Sequence, residues 1–206
     1  AVYPQLIDML DRLGAPAEES AAVFSEGVDF AKRSGDGRTQ GLIEAAYGHL
    51  EISQNDFVNA VEHARHAVAL ADAAGDRPLQ LFARFVLGRG LMWSSQFRAG
   101  AEVFDQVAEI GTGEDAWDIE VLGWRPYAEA LSIRSIAHSL FGRMSEALEL
   151  VERMNVRIRR PGPASAMNAT SDRVWICWAT GDTQHAQLYA SEALQLAERF
   201  GSDNTI

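Results

Sequence analysis

A three-position stripe of small and apolar residues recurs along the chain and restricts the folds that it can adopt. In the segment FVNAVEHARHA, Ala60, Ala64 and Ala67 occupy positions 0, +4 and +7, which lie on one face of a helix. The pattern starts at positions 20, 60, 100, 147 and 186, at intervals of 40, 40, 47 and 39 residues. Its other members are Ser20, Phe24, Gly27, Gly100, Phe104, Val107, Ala147, Val151, Met154, Ala186, Ala190 and Ala193. Such a period, without strand-like alternation, predicts repeating helices.

Glycine-containing breaks recur with the stripe. Gly35, Gly75 and Gly201 each stand fifteen residues after the start of a stripe, where a glycine suits a left-handed helix C-cap. A short turn precedes each stripe, and another helical stretch precedes that turn; Gly48 and Gly88 occupy matching places in it. Each repeat is therefore predicted to be helix A, turn, helix B and break. Two helices of this length cannot bury their apolar faces alone, so the repeats must stack.

The predicted fold is an all-α superhelix of about five two-helix repeats. The expected repeat boundaries are 1–36, 37–76, 77–117, 118–162 and 163–206. The longer interval between the third and fourth repeats is assigned to the segment IGTGEDAWDIEVLG, as an extended loop. The first residue is not methionine and the last residues lack an obvious cap, so we expect a piece of a larger protein.

These features resemble the tetratricopeptide repeat (TPR). That family places a small residue at the start of helix B, a larger residue four later and alanine three after that, which NDFVNAVEHARHAVALADAAGD and GDTQHAQLYASEALQLAERFG match. Leu87 and Gly88 correspond to the Leu-Gly of the family's helix A. The period exceeds the usual 34 residues. The longer repeats are similar to arrays in bacterial ATP-dependent transcription regulators and multidomain adenylate or guanylate cyclases.

Composition excludes several classes of protein. A formal net charge of -11 argues against nucleic-acid binding by this region, because neutralising phosphates requires a basic surface. The one cysteine, Cys177, permits neither an intrachain disulfide nor a multi-thiolate zinc site. That favours a reducing, cytoplasmic location. Neither a membrane-spanning apolar run nor a secretory signal sequence is predicted.

His63 and His66 are the most conspicuous candidates for a metal site. They lie three residues apart and are close enough on a helix to share a ligand, but a site would need further ligands from elsewhere. Glu62 points about 100° away from His63, and the HExxH order of zinc proteases is absent. Because Ala60, Ala64 and Ala67 form the packing face, we expect the histidines to be polar positions beside it. No metal and no cofactor are predicted.

Catalysis is not predicted either. Cys177 sits between two tryptophans and suits a small packed side chain; a catalytic thiolate would need a base, and nothing places His185 within reach. An all-helical metal-dependent enzyme built around His63, His66 and Cys177 is the remotest of the alternatives considered. A basic cluster stands at Arg153, Arg157, Arg159 and Arg160. Cations suit the carboxyl end of a helix, although four arginines could also hold an acidic partner or a phosphate.

The resemblance implies that successive A helices line a concave groove that binds a partner. The family's groove positions correspond here to His49, Phe85, Arg89, Met92, Trp93, Glu129, Ser132, Asn168, Trp175 and Trp178. Aromatic, Arg and Asn side chains can hold a peptide or an amphipathic helix. The prediction is a non-catalytic sensor or interaction module that binds a protein, a peptide or a small inducer. A stand-alone assembly scaffold is the alternative, and exposed repeat ends could support a homodimer.

Overall fold

The protein is predominantly helical in the part that a computed structural model describes, which comprises residues 2–157, 173–178 and 181–200. Residues 173–178 are helical, and a short 3₁₀ helix spans Glu114–Asp118. The α-helices of the described residues are α1 (Tyr3–Leu13), α2 (Ala17–Ser34), α3 (Gly37–Ser53), α4 (Phe57–Ala74), α5 (Arg77–Trp93), α6 (Phe97–Ile110), α7 (Pro126–Leu140), α8 (Met144–Arg157) and α9 (Thr183–Phe200). The predicted all-α class and the arrangement as sequential helix pairs are confirmed.

Each helix pair turns through one residue in the left-handed region. These residues have φ angles of 63°, 64°, 64°, 73° and 74°, and their spacing follows the uneven spacing of the stripes. They are Gly14, Asn55, Ser95, Gly142 and Gly181. Asparagine tolerates this conformation better than most residues, whereas Ser95 adopts it at some cost. The A–B turn is therefore the same structural element in all five pairs, despite its varied sequence.

The predicted glycine C-caps are confirmed for two B helices. Gly35 and Gly75 cap α2 and α4 in the left-handed conformation, with φ angles of 65° and 61°; Gly201 lies outside the described residues. Aspartates begin the helices that follow the turns and breaks, because each carboxylate accepts a hydrogen bond from a backbone N–H of the first turn. These N-caps are Asp36, Asp56 and Asp76.

The stripes are the packing faces of α2, α4, α6 and α8. Ala60, Ala64 and Ala67 are fully buried, and so are Phe104 and Val107. Helix α3 approaches α4 closely at Gly48, where a Cβ would stand 3.0 Å from the carbonyl oxygen of Ala60. In α9 the equivalent residues Ala186 and Ala193 are only half-buried and Ala190 is exposed.

The chain divides into two compact units, Ala1–Ala130 and Leu131–Ile206. In the first unit α1 packs against α3 and α3 against α5, whereas α2 and α4, or α4 and α6, share no comparable contact in the described chain. Helices α1, α3 and α5 therefore lie side by side in this unit, and we call their exposed side the inner face. In the second unit Ala147, Val151 and Ile176 form a small apolar core with Met144.

Candidate functional site

A hydrogen-bonded network joins three successive A helices on the inner face. His49 of α3 is 4% exposed, and its Nδ1 lies 3.1 Å from Oδ2 of Asp11 in α1. Its Nε2 lies 2.7 Å from Nη1 of Arg89 in α5. Residues from the first three repeats thus meet around one imidazole.

The guanidinium decides the protonation state of this imidazole. Arginine can only donate hydrogen bonds, so Nε2 of His49 accepts and Nδ1–H donates to Asp11. Burial lowers the pKa of His49, and the positive charge of Arg89 adds to that effect. The hydrogen bond from His49 lowers the pKa of Asp11 against the opposing effect of its burial. His49 is therefore neutral and Asp11 ionised at neutral pH.

The insertion after α6 folds back onto this network. Val121 and Trp124 exchange backbone hydrogen bonds of 2.9 Å in each direction, and Leu122 and Gly123 between them have φ angles of 53° and 77°. Two positive φ angles at the centre of a tight turn are typical of a type I′ hairpin. We call residues 119–125 the insertion hairpin. The sequence predicted a longer loop here, but not where it packs.

Trp124 is the part of the insertion hairpin that covers the inner face. Its ring centroid lies 4.5 Å from that of His49 and 6.3 Å from that of Phe85. Its Nε1–H donates to Oδ1 of Asp8 at 3.2 Å. Arg12 donates to the carbonyl oxygen of Leu122 at 3.2 Å, which ties the hairpin tip to α1. A segment more than 100 residues downstream thereby packs against α1 and α3.

The predicted groove residues of the first unit have different environments. Phe85 is buried, and Arg89 lies with its Cζ atom 6.0 Å from the centroid of that ring and 5.8 Å from that of Trp93. Trp93 is 47% exposed. Glu129 contributes a favourable charge to Arg89. Met92 instead turns toward α6, since its Cγ would stand 2.9 Å from a Cβ at Gly100.

The remaining groove candidates belong to the second unit. Ser132 is buried in α7, and its carbonyl oxygen accepts a hydrogen bond from the hydroxyl of Ser135. Trp175 and Trp178 are 51% and 66% exposed, with ring centroids 5.6 Å apart. Asn168 lies outside the described residues. These two tryptophans make an exposed aromatic pair, while the first unit holds the hydrogen-bonded part of the predicted groove.

His63 lies at a second polar cluster, between α3 and α4. Its Nδ1 is 2.7 Å from Oε2 of Glu44, and its Nε2 is 3.6 Å from Oε1 of Glu51. The two carboxylates are buried, whereas His63 is half-buried and His66 exposed, as expected for polar positions beside the packing face. Burial raises the pKa of Glu51 to about 7. The hydrogen bond to Glu44 and the charge of Glu51 raise the pKa of His63 against its burial.

The other candidates for chemistry belong to the second unit. Cys177 is buried, and its burial raises the pKa of the thiol, which disfavours the reactive thiolate. His185 is exposed and binds Oδ2 of Asp182 at 2.7 Å, as a side-chain contact at the start of α9. In the basic cluster Arg153 is exposed; Arg159 and Arg160 lie outside the described residues.

The neutral state of His49 predicts a specific dependence of stability on pH. In the unfolded chain His49 protonates near its ordinary pKa of about 6.5, while its lowered pKa in the fold resists protonation. The unfolded state then binds more protons, so the free energy of unfolding falls as the pH drops below about 6.5. We expect His49→Gln to remove this part of the pH dependence, because an amide can donate and accept without titrating.

Urea unfolding of the wild type and of His49→Gln at about pH 7.5 and about pH 5.5 measures the difference in pH dependence between them. His63 and Glu51 titrate in both proteins and cancel in the comparison. His185→Gln, at an exposed histidine, should keep the wild-type pH dependence. An identical pH dependence in His49→Gln would contradict the assigned state of His49.

Among the described helices, none combines the length and the apolar composition needed to cross a bilayer.

Comparisons with known proteins establish the fold. No protein-family profile matches the sequence, and no curated protein sequence matches it. Two solved structures are similar over almost their whole length. Both contain nearly identical TPR-like repeats of a Podosopora anserina protein designated a kinesin light chain. One of them, a variant with a glutamine-to-methionine substitution, has a TM-score of 0.71 at 15% identity, covering 97% of this chain and 95% of that one. The other has a TM-score of 0.66 at 14% identity, covering 98% and 96%. The chain therefore has the fold of a TPR-like helical repeat array.

Proposed function

We propose that this array is a non-catalytic interaction module that captures a protein or peptide partner, or a small inducer, on its inner face. TPR-like repeat modules are generally protein-interaction scaffolds. The observation that carries the proposal is the surface formed by Arg89 and Trp93. Arg89 is positioned by Asp11 and His49, and Trp93 beside it remains half exposed.

This surface has the properties of an interaction hot spot. Arginine and tryptophan are the residue types most enriched at such sites, and a side chain that is already ordered loses little entropy on binding. The rings of Phe85 and Trp93 flank the guanidinium, while Nη1 is held by His49. The guanidinium N–H groups that His49 does not occupy are suited to a carboxylate or a backbone carbonyl of a bound peptide.

The insertion hairpin links binding to conformational change. Trp124 contacts His49 and Phe85, which border the same surface. A partner that reaches His49 must displace Trp124, whereas a partner confined to Trp93 need not. Binding that favours one position of the hairpin over the other would shift the populations of the two positions. This gives a sensor module a physical means of reporting occupancy to a neighbouring domain.

The proposed setting is a larger cytoplasmic bacterial regulator, in keeping with the resemblance to arrays of transcription regulators and nucleotide cyclases. The longer repeat period supports this setting. The coding sequence on both sides of this segment tests it. An adjoining ATPase, cyclase or DNA-binding domain is expected; a gene that encodes only the array would favour the stand-alone scaffold.

The binding role itself is tested with peptides selected on the purified array. Peptides from a random display library are synthesised, and their affinities are measured by fluorescence anisotropy. We expect Trp93→Ala to weaken binding at least tenfold, because truncating a central aromatic side chain at an interface costs about 2 kcal/mol or more. Phe30→Ala is the matched control, since Phe30 is 51% exposed but belongs to a B helix. Equal losses in both variants, or selection of no saturable binder, would contradict the assigned surface.

A further inference from the structure

Three side chains of the second repeat converge between α3 and α4 in an arrangement that the interaction role does not use. One ligand atom from each of Glu44, His63 and His66 lies within 4.8 Å of the other two. A tetrahedral zinc ion with bonds of about 2.0–2.2 Å separates its ligand atoms by about 3.3 Å. The Oε2–Nδ1 distance of 2.7 Å between Glu44 and His63 lies below that value, so these two side chains must separate slightly to admit an ion. Small side-chain rotations would therefore place all three around one ion.

A fourth residue completes the surroundings of such an ion. Glu51 is 5% exposed, and its Oε1 lies 3.6 Å from Nε2 of His63, the ring nitrogen opposite the one that faces Glu44. Its Oε2 is buried and has no hydrogen-bond partner in the described part of the chain. Histidines that bind a metal commonly donate their other N–H to a carboxylate, which orients the ring. This role would give Oε1 of Glu51 a donor in Nε2–H of His63.

The ring of His63 is also fixed from the sides. Phe24 and Tyr47 stack with centroids 4.2 Å apart and contact the imidazole edge-on at 4.7 Å and 5.2 Å. These contacts cover one side of the cluster, and the exposed His66 leaves an entry path from solvent. A metal site is expected to fix the orientation of one ligand and to keep another accessible to the incoming ion.

We infer that Glu44, His63 and His66 form a binding site for one zinc-class divalent cation, with Glu51 as the residue that orients His63. Two imidazoles and one carboxylate suit Zn²⁺ and neighbouring transition metals, whereas Mg²⁺ and Ca²⁺ require mostly oxygen ligands. Three protein ligands leave one coordination position for water or for a side chain of a partner. The ion would bind α3 to α4 beside the stripe that packs them. The expectation from the sequence alone, that the histidines bind no metal, is replaced by this inference because Glu44 and Glu51 join them only in the fold.

The test uses the complete chain without an affinity tag, stripped with EDTA. Isothermal titration with Zn²⁺ should show one saturable site per chain, and metal analysis after gel filtration should give the same stoichiometry. Co²⁺ bound at the site should give the visible absorption of a tetrahedral nitrogen- and oxygen-ligated ion. Mg²⁺ should neither bind comparably nor displace Zn²⁺.

Two variants and a control locate the site. His66→Gln should fold normally, because His66 is exposed, and should bind Zn²⁺ at least tenfold more weakly. Glu51→Gln should weaken binding by about 10- to 100-fold, as expected for a residue that orients a ligand. His185→Gln, an exposed histidine in the other unit, should bind as the wild type does. Absence of a one-to-one site, or equal binding by His66→Gln and His185→Gln, would overturn the inference and leave a histidine–carboxylate hydrogen bond only.

Discussion

Replacing Ala64 by arginine is expected to unfold or loosen the N-terminal unit. Ala64 has no exposed surface, and its backbone nitrogen would lie 3.5 Å from a Cβ at Gly48 in α3. A longer side chain must therefore separate the two helices or bury an unpaired charge. Overpacking and an uncompensated charge together cost about 3–5 kcal/mol, a large part of the roughly 5–15 kcal/mol that stabilises a typical domain.

Thermal unfolding followed by circular dichroism measures this effect, with an expected fall in the melting temperature on the order of 10 °C. Ala69→Arg provides a matched control, because it makes the same substitution in the same helix at an exposed position. That variant should stay within about 0.5 kcal/mol of the wild type. An unchanged melting curve for Ala64→Arg would show that the packing face of α4 is wrongly assigned.

Trp124→Ala is expected to release the insertion hairpin from the inner face. The substitution removes the ring contacts with His49 and Phe85 and the hydrogen bond to Asp8. Truncation of a fully buried tryptophan costs about 3–5 kcal/mol, so we expect about 2–3 kcal/mol for this half-buried one. The strained turn at Leu122, where φ is 53°, would lose the contacts that offset its conformational cost.

Urea unfolding gives the change in free energy, and hydrogen exchange measured by mass spectrometry gives the local effect. The amides of Val121 and Trp124 are hydrogen-bonded to each other's carbonyls, so exchange across residues 119–125 should accelerate in the variant. Trp178→Ala, at a tryptophan with 66% exposure, should change stability by less than about 1 kcal/mol. Wild-type exchange rates in Trp124→Ala would mean that the hairpin is held by its other contacts, such as that of Arg12 with Leu122.

The helical repeat was predictable because its cause is local in the sequence. Ala60, Ala64 and Ala67 mark a helix face by their spacing alone, and Gly75 marks the end of that helix by its conformational freedom. The burial of Ala64 follows directly, since a small residue at that position lets α3 approach. The A–B turn was less apparent, because Asn55 and Ser95 replace glycine in the left-handed position.

The candidate site was only partly predictable. Register within the repeat indicated that His49, Arg89 and Trp93 belong to the A helices, and these three lie on or beside the inner face. The register does not give the direction in which a side chain points. Met92 was therefore assigned to the groove, although it packs toward α6. Asp11 was not among the predicted residues, because no pattern within a single repeat shows which residues of the next repeat its side chain contacts.

Glu44 was also missed, although one clue to it exists. The close contact of Gly48 with Ala60 and Ala64 sets the antiparallel register of α3 and α4. That register brings the helical turn that contains Glu44 opposite His63 and His66. The prediction considered only Glu62, a neighbour in sequence, which a helix directs about 100° away from His63. Residues 19 positions apart become ligand neighbours only when two helices pack.

The helices, their pairing and the packing faces of α2, α4, α6 and α8 follow from local sequence, because these depend on spacing and conformational preference within about 20 residues. The partners of the polar side chains, in contrast, are set by how the helices pack in three dimensions. Trp124 meets Asp8 across 116 positions, and Arg89 meets His49 across 40. Such contacts depend on how stacked repeats curve and where the insertion hairpin packs, which no local pattern encodes. The spacing of His63 and His66 is visible in the sequence, but their proposed role as ligands depends on the buried carboxylates of the neighbouring helix.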